Sequence, residues 1–262
     1  MKKNTPILIL AIIIAFSQTL LIVGAKNTYV APYTNEPVTE GNSIDLTEWS
    51  DSAWYNYTWT LIESSDPQDP HSPKTEYTYS IKTAYKHNNT HLMIYFNILD
   101  DTYNPETWAD YPRKVRFDDR ISDYLTIGFD VNEDEDPNSN DDDLKAILLS
   151  NYPLDGAWTP WQKSDVDLDG YNDIYGYSEW KEVSGYSIVL IFPLSSGDLR
   201  GQDINAEPGD TLYGVFFYND ASVEWNAYYP RGFDLVLLTE EDSNPRAGRF
   251  NNSLGFIGGP TL

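Results

Sequence analysis

The chain has 262 residues, with 41 acidic and 17 basic side chains, and its formal net charge is −24. A surface this acidic repels phosphate backbones, so nucleic acid is excluded as a partner. Because the chain contains no cysteine, disulfides, thiolate metal sites and thiol nucleophiles are excluded as well.

Residues 1–25 have the pattern of a secretory signal peptide. Lys2 and Lys3 precede an apolar run over residues 7–23, and Gly24 and Ala25 supply small residues for a signal peptidase. We expect cleavage after Ala25, a secreted or cell-surface protein, and no stable membrane span after cleavage. The alternative is a retained N-terminal anchor, because about 20 apolar residues are enough to span a bilayer.

The rest of the chain is predicted to form a single domain over residues 43–240. A flexible lead-in, residues 26–42, precedes it, and a C-terminal tail, residues 241–262, follows it. Alternating apolar residues predict strands near residues 55–59, 77–86, 92–99, 124–131, 145–150, 186–192, 212–218 and 233–238. Residues 151–173 are predicted to be one long loop, which is a common location for binding residues.

The hairpin predicted over residues 76–101 is expected to organise the fold. In its second strand, Leu92 and Ile94 share one face, while Met93 and Tyr95 make the other face apolar too. A strand that is apolar on both faces belongs in the interior of a sheet that is covered on both sides. The first strand of the hairpin is expected to lie nearer the edge.

The fold class predicted from these elements is all-β. Many short strands are separated by Gly, Pro, Asn and Asp, and no segment has the apolar periodicity of a helix. This pattern is typical of an antiparallel β-sandwich of the jelly-roll type.

One local motif predicts a calcium-binding loop. Acidic residues recur at every second position, and Gly170 stands sixth, where such a loop bends sharply. The predicted ligands are Asp165, Asp167, Asp169, the backbone carbonyl of Tyr171, and Asp173. The twelfth position is Gly176 instead of the bidentate acid of an EF-hand, and Glu179 lies three residues beyond it. The alternative is an acidic loop that is simply solvated.

Two groups of aromatic residues in predicted loops are candidates for a ligand surface. Trp158 and Trp161 flank a proline just before the calcium motif, and Trp225 and Tyr228 precede the last strand. Sugar rings stack on exposed aromatic faces, so these residues predict an extracellular glycan as partner. The alternative is that the rings pack over the ends of the sandwich as part of its core.

The order of several segments resembles the carbohydrate-binding modules of family 9. The segments are SIDLTEWSDSAW, YKHNNTHLMIYFNILDD, DYLTIGFDVNED, GYSIVLIFPL and GDTLYGVFFYNDA. The same β-sandwich superfamily includes DOMON-type domains and haem-binding subunits similar to that of ethylbenzene dehydrogenase. The resemblance therefore implies the fold over residues 43–238, and it implies either sugar or haem as the ligand.

A haem would need two axial ligands on opposite sides of its iron. Met93 is the one methionine of the mature chain, and the histidines are His71, His87 and His91. His91 and Met93 are two residues apart on one strand face, about 7 Å along the strand, so they cannot both bind one iron. An axial pair formed by Met93 with Lys82 or with a distant histidine is an alternative. Packing of Met93 in the core is favoured.

We expect no enzymatic activity. No serine or histidine stands in a nucleophile motif, and the many acids show no pattern that separates a general acid and base from solvated groups. The favoured hypothesis is a secreted, calcium-stabilised module that binds extracellular carbohydrate. One alternative is a b-type haem-binding domain of an exported electron-transfer system, and the other is a cell-surface module for protein interactions.

Overall fold

The structure is a computed structural model that describes residues 27–41, 43–64, 74–103, 123–131, 142–148, 152–158, 163–164, 172–196, 203–220, 226–227 and 231–243. Within these residues the strands are β1 (Asn27–Ala31), β2 (Ala53–Ser64), β3 (Lys74–His87), β4 (His91–Ile98), β5 (Tyr124–Phe129), β6 (Asp142–Leu148), β7 (Tyr152–Trp158), β8 (Lys163–Ser164), β9 (Tyr175–Lys181), β10 (Gly185–Pro193), β11 (Thr211–Asn219), β12 (Asn226–Ala227) and β13 (Arg231–Leu237). The helical segments are a 3-10 turn at Leu46–Trp49 and α1 at Glu240–Ser243. In this described part of the chain, no helix is long and apolar enough to cross a membrane.

The strands form two sheets, which confirms the prediction of an all-β sandwich. The seven-stranded sheet has the order β1-β13-β11-β5-β6-β7-β8, and the six-stranded sheet has the order β12-β2-β3-β4-β10-β9. Neighbouring strands run antiparallel, except that β1 runs parallel to β13. As predicted, β4 lies in the interior of its sheet.

Three expectations about the organisation of the chain are wrong. Residues 27–31 are not part of a flexible lead-in, because β1 pairs with β13 along its whole length. Residues 151–173 are not one long loop, because they contain β7 and β8. The strand β3 is not near the edge, because β2 and β12 lie beyond it.

The main core lies between the two sheets and is built from alternate residues of the facing strands. Its aromatic rings span the gap between the sheets. Phe216 and Phe233 stack with ring centroids 4.3 Å apart, and Phe96 of the other sheet meets Phe216 edge-on at 5.1 Å. All three rings are buried.

A second core explains why both faces of β4 are apolar. On the outer face of the six-stranded sheet, Met93 and Tyr95 are buried beneath Val38 and Trp49. The ring of Trp49 lies 5.7 Å from that of Tyr95, and the sulfur of Met93 accepts the N–H of Val38 at 3.3 Å. Residues 36–41 and 43–52 therefore cover part of this outer face.

The buried ammonium group of Lys86 fastens the covering segment to the sheet. Lys86 is 0% exposed, and its Nζ donates to the carbonyl oxygens of Glu36 at 2.8 Å and Glu48, and to Oδ1 of Asp51 at 3.0 Å. Three acceptors match the three N–H groups of an ammonium ion. Because a buried charge is costly unless it is hydrogen-bonded, Lys86 and the segment stabilise each other.

We predict that Lys86→Ala lowers the free energy of unfolding by about 3 kcal/mol, because two carbonyls and one carboxylate lose their donor. Lys82→Ala is the matched control, since Lys82 lies on the same face of β3 but is exposed, with its Nζ 4.2 Å above the ring of Trp54. The control is expected to change stability by about 1 kcal/mol or less. Urea unfolding followed by tryptophan fluorescence measures both values, and equal losses would contradict the role given to Lys86.

A second buried ionic network lies beside the seven-stranded sheet. The Nζ of Lys145 is 3.2 Å from Oδ1 of Asp143 and 2.9 Å from Oδ1 of Asp203. The other oxygen of Asp143 accepts the N–H of Ile204 at 3.1 Å. Burial raises the pKa of the Asp143 carboxyl from 3.8 to about 6, although the Lys145 ammonium lowers it.

Because of this raised pKa, we predict that Asp143→Asn removes a decrease in the free energy of unfolding that the wild type shows between about pH 4 and pH 6. In that range the folded carboxyl holds a proton that the unfolded chain has released, so the free energy of unfolding falls as pH rises. One such proton contributes up to about 1.4 kcal/mol per pH unit. Asparagine still accepts the N–H of Ile204 but does not titrate. Urea unfolding at stepped pH measures the slope, with exposed Asp101→Asn as control, and an unchanged slope in Asp143→Asn would rule out this origin.

Candidate functional site

Most of the calcium-binding and sugar-binding residues predicted from the sequence lie outside the described residues. They are Trp161, Asp165, Asp167, Asp169, Tyr171, Trp225 and Tyr228. Trp158 is the last residue of β7, where its backbone pairs with Asp142. Asp173 is described and is half-buried. The roles assigned to these residues therefore stay predictions.

The described end of the predicted calcium loop has one feature that fits a cation. Oδ1 of Asp173 is buried and has no hydrogen-bond partner among the described residues, and a bound cation would take it as an oxygen ligand. The departure at the twelfth position also has a structural reason. A Cβ at Gly176 would lie 2.9 Å from Cδ1 of Ile147, so this position of β9 packs into the core and has no room for an acidic ligand.

Three buried aspartates from three strand ends meet at one end of the sandwich. Asp100 follows β4, Asp123 precedes β5, and Asp220 follows β11. Their exposed fractions are 2%, 0% and 3%, and one oxygen of each lies within 4.8 Å of the others. We call Asp100, Asp123 and Asp220 the aspartate cluster.

Each member of the aspartate cluster accepts a hydrogen bond from a tyrosine hydroxyl of the opposite sheet. The donor–acceptor pairs are Tyr79 to Asp220, Tyr186 to Asp123, and Tyr218 to Asp100. Thr102 adds two more bonds, because its N–H and its hydroxyl both donate to Oδ1 of Asp100 at 2.8 Å. The cluster thus joins the two sheets through side chains.

Burial governs the protonation of these groups. Burial raises the pKa of Asp100, while the bonds from Tyr218 and Thr102 lower it. Burial also raises the pKa of Tyr79 and of Tyr218, and the neighbouring aspartates raise both further. The tyrosines therefore keep their protons and act as neutral donors, which satisfy carboxylate lone pairs without adding positive charge.

The aspartate cluster has the donor set that Ca²⁺ prefers. Oxygen ligands at about 2.3–2.6 Å place two oxygens on opposite sides of the ion about 4.6–5.2 Å apart. The spacing of the cluster, within 4.8 Å, matches that geometry. One calcium ion would supply the positive charge that the tyrosines do not.

A pair of aromatic rings, of which one is exposed and one is half-buried, lies next to the cluster. Tyr103 is 51% exposed and stacks on Trp180 of β9, with ring centroids 5.2 Å apart and an interplanar angle of 28°. The indole N–H of Trp180 donates to the backbone oxygen of Asp100 at 3.3 Å. The ring centroid of Tyr186 lies 6.2 Å from that of Tyr103, and the two rings are tilted by 39°. We call Tyr103 and Trp180 the aromatic pair.

The residues considered as haem ligands are engaged elsewhere or are not described. Met93 packs in the second core, as the sequence favoured. His87 is buried, and its ring nitrogens lie 3.0 Å from the backbone oxygen of Asn88 and 2.9 Å from that of Leu238. His71 lies outside the described residues. No described contact favours a haem over a sugar.

Sequence reasoning did not identify the aspartate cluster or the aromatic pair, although a signal for the cluster was present. Asp100, Asp123 and Asp220 each stand at a strand end within segments that carry the family resemblance, NILDD, DYLTIGF and FFYND. Aspartates at strand ends are also common in ordinary turns, so their position alone did not distinguish members of a buried cluster from solvated turn residues. Nothing in the sequence pattern pairs Tyr103 with Trp180.

Comparisons with known proteins find similarity at the level of structure. No family model matches the chain, and no curated protein matches it. A carbohydrate-binding module of family 9 from Caldicellulosiruptor kristjanssonii, in complex with cellotriose, is 13% identical, with a TM-score of 0.45 over 89% of this chain and 100% of the module. A family 9 module from the same organism, in complex with glucose, is 12% identical, with a TM-score of 0.39 over 74% of this chain and 78% of the other.

A third similar structure, a protein from Bacteroides uniformis, is 11% identical, with a TM-score of 0.41 over 79% of this chain and 88% of the other. The Caldicellulosiruptor modules belong to the family that the ordered sequence segments resemble. With every TM-score below 0.5, inferences about the ligand rest on this chain's own residues.

We predict that Ca²⁺ raises the melting temperature of EDTA-treated protein, because a ligand bound only by the folded state adds about 2.7 kcal/mol at 100 times its Kd. Asp123→Asn should remove the share of this rise that comes from the aspartate cluster. The double variant Asp165→Ala with Asp169→Ala should remove the share that comes from the loop. Exposed Asp101→Asn should keep the full rise.

Differential scanning calorimetry with and without Ca²⁺ distinguishes these shares. A full rise in Asp123→Asn would contradict a calcium ion in the cluster, and a full rise in the double variant would contradict one in the loop. A wild-type protein with no rise would contradict both.

Proposed function

We propose that this chain is a non-catalytic module that binds carbohydrate outside the cell and is stabilised by calcium. The observation that carries the proposal is the aromatic pair. It presents the exposed ring of Tyr103, stacked on the half-buried ring of Trp180, at the end of the sandwich where the aspartate cluster lies. Aromatic faces offer a sugar ring an apolar platform for its C–H groups, while the ring edges stay in water.

The aromatic pair is held in position before any ligand arrives. Trp180 is fixed by its hydrogen bond to the backbone of Asp100, and it supports the ring of Tyr103 from below. Thr102, the neighbour of Tyr103, is bound to the side chain of Asp100. A surface that is already ordered loses little conformational entropy on binding, which favours affinity.

Calcium in the aspartate cluster would strengthen this arrangement. A cation bound by Asp100 would restrain the segment that leads to Tyr103, and it would hold the ends of β4, β5 and β11 together. The loop over residues 165–173 is a second proposed calcium site, supported by its spacing and by the buried oxygen of Asp173.

A catalytic role does not suit the aspartate cluster. Hydrolysis of a glycosidic bond needs a pair of carboxyl groups that flank the bond and contact it. Asp100, Asp123 and Asp220 are at most 3% exposed and are covered by tyrosine hydroxyls, so a sugar cannot reach them. The cluster fits a structural role, and recognition falls to the rings outside it.

Export from the cell is proposed from the sequence. The signal pattern of residues 1–25 supports it, and the strongly acidic composition suits a soluble protein in a salty medium. Trp158, Trp161, Trp225 and Tyr228 stay proposed as further contacts to the glycan.

We predict that Tyr103→Ala weakens binding of the best ligand on a glycan array about tenfold, which corresponds to about 1.4 kcal/mol of stacking. The melting temperature should change by only a few degrees, because Tyr103 is 51% exposed. Tyr103→Phe is the control and should keep most of the affinity, since the ring face is retained. Isothermal titration with the best array ligand, and with cellotriose and glucose, measures the effect.

Binding that is equal in wild type and Tyr103→Ala would remove the aromatic pair from the site. An array without any ligand would contradict carbohydrate binding itself. In that case, a Soret band in the purified protein would favour the haem alternative, and capture of a specific surface protein would favour the protein-interaction alternative.

A further inference from the structure

The outer face of the six-stranded sheet has a covered part and, among the described residues, an open part. In the covered part, Ala84, Tyr95 and Val189 are buried in the second core. The open part forms a groove of about 580 Å³. Its lining includes Asn56, Thr58, Ser80, Lys82, Asn97 and Leu99.

Strand register places the polar side chains of this groove in a row across the sheet. Asn56 of β2 lies opposite Lys82 of β3, and Lys82 lies opposite Asn97 of β4. Neighbouring strands are about 4.8 Å apart, so three strands carry a polar row about 10 Å long. An extended polymer that crosses the strands would meet hydrogen-bonding groups at regular intervals.

The polar groups of the row are oriented by their own contacts. The Nδ2 of Asn97 donates to the backbone oxygens of Ser184 and Tyr186, both at 2.9 Å, so its Oδ1 is the atom that this amide can offer a ligand. The Nζ of Lys82 lies 4.2 Å above the ring of Trp54. These contacts reduce the ordering that a bound ligand would require.

The side chains of the groove and the charge of the whole chain favour a neutral ligand rich in hydroxyl groups. Among its described lining residues there is no carboxylate, and Lys82 is the one charged group. The whole chain carries a formal charge of −24, so an anionic polymer is repelled as it approaches. Amide and hydroxyl side chains such as Asn56, Thr58 and Ser80 pair with sugar hydroxyls without needing charge.

We infer that this groove is a second carbohydrate-binding surface, which holds a neutral polysaccharide chain lying across the strands. The inference rests on the proposed function, since it takes the ligand to be a glycan. It adds a site that is separate from the aromatic pair. Leu99 lines the groove and directly precedes Asp100.

The test is affinity electrophoresis of the full mature chain, made in a host without N-glycosylation because Asn56 begins a sequon. The gels contain hydroxyethylcellulose, galactomannan or laminarin as neutral polysaccharides, and alginate as an anionic one. Ser80→Trp fills the groove at an exposed strand position where a large ring is tolerated. The matched control is Thr211→Trp, at an exposed position of β11 in the other sheet.

We expect at least one neutral polysaccharide to retard the wild type, and Ser80→Trp to weaken that binding at least fivefold. Thr211→Trp should bind like the wild type. If wild type and Ser80→Trp are retarded equally, the groove is not a binding surface. In that case, a loss of retardation in Tyr103→Ala in the same gels would still support the proposed function. Retardation by alginate alone would overturn the neutral ligand. No retardation in any gel, together with an empty glycan array, would overturn both proposals.

Discussion

Three tyrosine–aspartate hydrogen bonds that cross from one sheet to the other are the constraint on which the functional end of the sandwich depends. Their partners are 63, 118 and 141 residues apart in the chain, so each bond forms only when both sheets are in register. A slip of one residue would turn a tyrosine to the opposite face of its strand. Each buried carboxylate would then lose a donor, at a cost of about 1–3 kcal/mol.

The same constraint determines the surface beside the cluster. Asp100 binds Thr102 with its side chain and Trp180 with its backbone, so both rings of the aromatic pair depend on one buried residue. A tight turn precedes β10, and Gly185 packs it against the end of β4. The φ of Gly185 is 65°, and a Cβ added at this position would lie 2.1 Å from the backbone oxygen of Ile98. The polar groove has a different basis, because ordinary strand register arranges its side chains.

The fold was more predictable from the sequence than the site, for a physical reason. The two apolar faces of β4 are a local pattern, and the second core shows that both faces are covered. The aspartate cluster is not local, because its members meet only through the order of the strands. The pairing of β1 with β13 was missed for the same reason, since the proline-rich segment around residues 26–42 resembles a linker unless its distant partner is known.

The parallel pairing of β1 with β13 has a consequence for how the chain folds. Residue 27 lies beside residue 233, so one edge of the seven-stranded sheet cannot close until β13, about 200 residues after β1, has been synthesised. Contacts between such distant residues carry a large loop-closure entropy, and β-sandwiches rich in them fold over milliseconds to seconds. Before closure, β13 presents an unpaired edge that can pair with another chain. A nascent chain is therefore most prone to aggregate before β1 has docked on β13.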